Sequence, residues 1–134
     1  MSDYAEAMTW VRLSQRDYDI AVHLEKTFLP FPVETICFHS QQVIEKALKA
    51  ILAYYEAEIP YTHNIRILAE LCKKHTETPF IGNKTADTIT AFAVITRYVE
   101  DRRDFTEETA QFALKQANMV LEAVKQFLVD KHVN

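Results

Sequence analysis

Apolar residues recur along most of this chain in steps of three and four, the spacing of one face of an α-helix. Five such stretches can be read. The first runs from about Ser2 to Lys26, with Tyr4, Met8, Val11, Tyr18, Ala21 and Val22 on the inner side and Trp10, Leu13, Ile20 and Leu24 flanking it. Leu29-Pro30-Phe31-Pro32 ends it, because two prolines cannot continue a helix. The second runs from about Val33 to Glu58. Cys37, Leu48, Ile51 and Tyr55 lie within about 40° of Ile44 on a helical wheel, and Ile36, Val43, Ala47, Leu52 and Tyr54 widen the arc to about half the circumference. So wide a stripe suits a helix covered by several neighbours. The opposite face carries His39, Gln42, Lys46 and Lys49 as one polar stripe.

Pro60 interrupts the pattern, and Thr62 is placed to cap a third helix from His63 to about Thr76. Its inner side is Ile65, Leu68, Ala69 and Cys72. A loop through Glu77 to Asn83 leads to a fourth helix, from about Lys84 to Val99, with Ala86, Ile89, Phe92, Ala93 and Thr96 aligned. A charged elbow, Glu100-Asp101-Arg102-Arg103-Asp104, precedes Thr106, a second capping candidate. Glu107 and Glu108 then complement the dipole of a fifth helix that runs to about Lys131. Long amphipathic helices joined by short connections predict an all-α, antiparallel up-and-down four-helix bundle with one additional short helix. No repeat or composition break divides residues 1–134, which read as one domain.

Composition narrows the function. One glycine and four prolines in 134 residues leave too little turn chemistry for a sheet protein, and Gly82 alone cannot make a phosphate-cradling loop. P-loop and Rossmann nucleotide sites are thereby excluded. Hydrophobic residues are 49% and charged residues 25%, ordinary values for a folded domain. A net charge of −4 is unlike a protein that coats nucleic acid or membrane through bulk charge, though a local basic face is compatible with it. No apolar run is long enough to span a bilayer, and the N-terminal residues lack the pattern of an export leader. Cys37 and Cys72, in helical patterns without ligand spacing, read as reduced buried thiols, and the expected location is the cytoplasm.

Metal chemistry finds little support. No histidine has a glutamate three residues before it, and there is no His-x-x-x-His pair. Glu100, Asp101 and Asp104 have a spacing that could hold Mg²⁺, but pairing with Arg102 and Arg103 explains them as well. No metal or other cofactor is expected. The second helix is more informative. Gln42, Glu45, Lys46 and Lys49 combine amide, carboxylate and ammonium groups within two turns, and Glu45–Lys49 has the favourable i, i+4 orientation. Such a face is either solvated with one ion pair or a polar groove for a phosphate-bearing ligand, with the lysines as point charges.

The segment His39-Ser40-Gln41-Gln42-Val43-Ile44-Glu45-Lys46-Ala47-Leu48-Lys49-Ala50 resembles the second-helix signature of HEPN domains (higher-eukaryote and prokaryote nucleotide-binding). Thr62-His63-Asn64 with Leu68 resembles the family's His-Asp/Asn-Ile/Leu element, and Thr96-Arg97-Tyr98 its Arg-Tyr-Pro element. The resemblance implies a helical bundle, often a homodimer, often encoded beside a minimal nucleotidyltransferase in a toxin–antitoxin-like pair. It also implies that the chain could be a metal-independent ribonuclease, an activity tied in the family to an Arg-x4-6-His motif. Here no histidine follows Arg97 within reach, and Val99 stands where that element has proline. The one literal Arg-x6-His match, Arg16 to His23, lies in the first helix, the wrong place for the motif.

These residues lead to a nucleotide- or RNA-phosphate-binding module. Gln42, Glu45, Lys46, Lys49 and Arg102 are the ligand-binding candidates, and Arg97 with His63 the catalytic ones. Arg97 serves equally as a structural partner of Glu45 or Glu100, and His63 as a turn residue. The alternatives are a ribonuclease toxin with a degenerate site and a non-catalytic dimerisation domain.

Overall fold

The computed structural model describes residues 2–93 and 106–133. Among these residues all regular secondary structure is helical, without strands. The helices are α1 (Tyr4–Thr27), α2 (Val33–Tyr54), α3 (Ile65–Thr76), α4 (Asn83–Thr90), which continues into a 3₁₀ turn at Ala91–Ala93, and α5 (Glu107–Val133).

The wide apolar arc makes α2 the central element. It packs against α1, α3, α4 and α5. Ile36, Cys37, Val43, Ile44, Ala47, Leu48, Ile51 and Leu52 are all buried. From α5, Ala110, Ala113, Leu114, Ala117, Leu121, Val124 and Leu128 complete the core, as their spacing predicts. Along α1 the small residues Ala7, Ser14 and Ala21 recur every seventh position and are fully buried, which brings α1 close to α2. There the Ser14 hydroxyl donates to the Val43 carbonyl at 2.7 Å. The two cysteines are free and buried, and burial pushes both thiols up to about 12.

Several helix ends differ from the sequence expectation. The second helix stops at Tyr54 rather than Glu58. The Ala57 amide donates to Leu52 and the Glu56 amide to Ala53, with Glu56 left-handed at φ 54°. This is a Schellman ending without its usual glycine, so no glycine marks it in the sequence. The third helix is capped by Asn64, which accepts from the Ile67 amide at 3.1 Å. Thr62 instead accepts from the Asn64 amide, and His63 therefore lies before the helix and not in it. The fourth helix gives way to a 3₁₀ turn at Ala91. The remainder of its expected span, the charged elbow, and with them Arg97 and Arg102, lie outside the described residues.

Candidate functional site

Two buried carboxylates organise the polar side of α2. Asp17 projects from α1, in phase with the small residues that bring the helices together. Its Oδ1 meets His39 Nδ1 at 2.9 Å and its Oδ2 meets Lys46 Nζ at 2.6 Å. Glu45, on α2, accepts from three groups. Gln41 Nε2 lies 3.1 Å and His63 Nδ1 2.8 Å from Oε1, while Lys49 Nζ lies 3.0 Å from Oε2. Gln41 also donates to the His63 carbonyl at 3.0 Å, so ring and backbone of His63 are both held. Gln42 extends the network by donating to Gln41 Oε1 at 2.7 Å.

Burial by itself would raise the Glu45 carboxyl. Hydrogen bonds from His63, Lys49 and Gln41, with the Lys49 charge, outweigh it and hold the group below its ordinary value. Asp17 follows the same pattern, with burial opposed by hydrogen bonds and charge from His39 and Lys46. Both carboxylates are therefore ionised near neutrality. An ionised carboxylate only accepts, so His63 donates through Nδ1, and its Nε2 is left for another partner.

Exposure separates the histidines from the carboxylates beneath them. The Glu45 side chain is 5% exposed and that of His63 is 57% exposed. Lys49 is 10% exposed and lies 5.6 Å from the centre of the Trp10 ring, which covers it from α1.

Of the residues singled out from sequence, Gln42, Glu45, Lys49 and His63 thus share one hydrogen-bonded network. Lys46 belongs to the neighbouring Asp17 group. The polar stripe of α2, open in sequence to a solvated face or a ligand groove, is partly covered. Lys49 is buried and paired with Glu45 on its own helix, and Lys46 is paired with Asp17 of α1, so neither presents an uncompensated point charge. The physical reason is that α1 covers this side of α2 and supplies Asp17 and Trp10. The expected Glu45–Lys49 ion pair is present. Asp17, Gln41 and Trp10 were missed. The available signal for Asp17 was its position in the small-residue phase of α1. Arg16 and His23, the literal motif match, line a groove of about 530 Å³ on α1 whose lining includes none of the network residues. No cluster of three metal-ligating side chains occurs among the described residues, and none of their helices is long and apolar enough to cross a membrane.

The model of the HEPN domain matches residues 7–127, which takes in α1 through nearly all of α5. The chain belongs to the HEPN domain family, whose helical modules are associated with nucleotides and RNA. Neither a curated protein nor a solved structure gives a match.

Proposed function

We propose that this protein is a single-domain, cytoplasmic HEPN module that contacts the phosphate of a nucleotide or RNA through His63. One observation supports this above the rest: an exposed imidazole is fixed through Nδ1 to a buried, triply bonded carboxylate. The His63 side chain is 57% exposed, which leaves the ring open to a ligand. Glu45 sets the tautomer and the orientation, Gln41 fixes the backbone, and Lys49 balances the Glu45 charge. In its protonated form Nε2 donates to a phosphate oxygen; in its neutral form it accepts a proton. His63 also directly precedes the N-cap of α3, where the helix dipole favours an anion.

In this reading Glu45 and Lys49, with Gln42 acting through Gln41, position the His63 ring, Lys46 secures α1 to α2 beside them, and Arg97 and Arg102 are the cations for the ligand. The helices form an antiparallel up-and-down four-helix bundle with one additional short helix. The module works as a homodimer with a minimal nucleotidyltransferase in a toxin–antitoxin-like pair, a partnership that co-purification tests.

Calorimetry with adenosine monophosphate tests the ligand contact. His63→Ala is expected to weaken binding about 10- to 100-fold, the range of a lost charge-assisted hydrogen bond. Unchanged affinity in that variant would remove His63 from the site. The histidine–glutamate pair also favours a second reading, metal-independent ribonuclease, because a free Nε2 beside an ionised carboxylate can take a proton from a 2′-hydroxyl. RNA left intact by the wild-type chain, and identical behaviour of His63→Ala and Arg97→Ala, would dispose of catalysis while leaving binding in place.

A further inference from the structure

Two residues before His63, Tyr61 is 99% exposed, more than any other large apolar side chain described. An aromatic ring with both faces in water gains nothing from the fold it sits on. Leu29 and Val133, the next most exposed, lie in the α1–α2 connection and at the end of α5. Tyr61 is instead mounted at the candidate site, its ring centre 6.2 Å from that of His63 and tilted by 57°.

The backbone that carries it is tied down on both sides. The Thr62 amide donates to the Pro60 carbonyl at 3.0 Å, and the Asn64 amide to the Thr62 hydroxyl at 3.1 Å. Gln41 holds the His63 carbonyl, and the Ile65 amide donates to the Thr90 hydroxyl at 2.9 Å. The ring is thus an open flat surface on a fixed loop, and ordering it costs only two side-chain torsions.

We propose that Tyr61 is the stacking platform for an unpaired nucleobase whose phosphate is met by His63. This rests on the assignment of His63 above and extends it to the ligand's other end. Bases stack on exposed aromatic rings irrespective of their hydrogen-bonding edges, so the platform selects for a base without selecting which one. The same unit, a base with its phosphate, occurs in free nucleotides and in single-stranded RNA.

The test is calorimetry on the wild-type chain, Tyr61→Ala, Tyr61→Trp and His63→Ala. The probes are adenosine monophosphate, a tetra-adenylate RNA, and ribose 5-phosphate, which lacks a base. The wild type is expected to bind adenosine monophosphate more tightly than ribose 5-phosphate. Tyr61→Ala should weaken the nucleotide by about 5- to 150-fold, leave ribose 5-phosphate unchanged, and so close the gap. Tyr61→Trp should keep it open. A Tyr61-dependent gain for the tetranucleotide over the mononucleotide identifies a strand as the source, and parity identifies the free nucleotide. If Tyr61→Ala binds both nucleotide probes like the wild type while His63→Ala weakens all three, the platform is refuted and the His63 assignment survives. If the wild type binds none of the probes, both fall together.

Discussion

Asp17 and Glu45 are both buried carboxylates, and each holds one lysine and the Nδ1 of one histidine. The groups differ in what they join. The Asp17 group fastens two long helices, with the acid on α1 and both partners on α2. Its histidine, His39, is 22% exposed and packs edge-on against Phe38. The Glu45 group joins α2 to the loop before α3, and its histidine is 57% exposed. The same three residue types thus give a clamp between helices in one case and a mounted, accessible imidazole in the other. The difference lies in the element that carries the histidine: a helix covered by α1 holds the ring in, and a loop lets it out.

The largest effect should come from removing the acid of the mounted group. Glu45→Ala leaves the buried Lys49 ammonium without its counter-ion and removes the acceptor shared by Gln41 and the His63 ring. Loss of one partner from a buried pair costs about 3–5 kcal/mol, which urea denaturation would register as a large drop in midpoint. A loss below about 1 kcal/mol would mean that Lys49 finds water. Asp17→Ala should cost less, about 1.5–3 kcal/mol, because Lys46 is one-quarter exposed and can turn to solvent. Equal losses in the two variants would erase the distinction between a covered lysine and an accessible one.

Acid should reveal both groups. Each carboxylate is held below its ordinary value, 3.8 for Asp17 and 4.5 for Glu45, so its contribution is present above those values. The unfolded chain binds these protons first, and stability is lost as pH falls through the unfolded and then the folded value. Denaturation midpoints measured between about pH 5 and pH 2.5 should therefore fall steeply. Asp17→Asn and Glu45→Gln should each flatten the slope, and a slope unchanged in both would place the acid sensitivity elsewhere.

Much of this architecture was legible in the chain. The α2 arc is a short-range pattern, and all of it but half-buried Tyr55 is buried as its periodicity requires. The Glu45–Lys49 pair is likewise set by helix geometry alone. The clamp was hard to read because Asp17 and Lys46 are far apart in sequence: the recurring small residues mark a close-packed face of α1, but nothing in them says that the polar stripe of α2 lies against it. The His63–Glu45 contact was hidden for a related reason. It depends on where the connection after α2 turns, and that turn uses a left-handed Glu56 where the recognisable residue is glycine. Local patterns specified the helices; the polar groups between them were specified by packing.

The smallest stability effect, and the one that separates the two groups most cleanly, should come from the histidines. His39→Ala removes a half-buried ring and leaves Asp17 with Lys46 alone, for about 1–2 kcal/mol. His63→Ala exposes Glu45 Oε1 to water at the loop, where Gln41 still donates to it, so stability should change by under about 1 kcal/mol. Ligand affinity should order the variants the other way, with His63→Ala weakened and His39→Ala close to wild type. A clamp gives up stability when it is cut, and a mounted ring gives up contact with its ligand. Should His39→Ala lose adenosine monophosphate while His63→Ala keeps it, the roles of the two groups would be exchanged, and the exposed face of the Asp17 group would become the place to look for the phosphate.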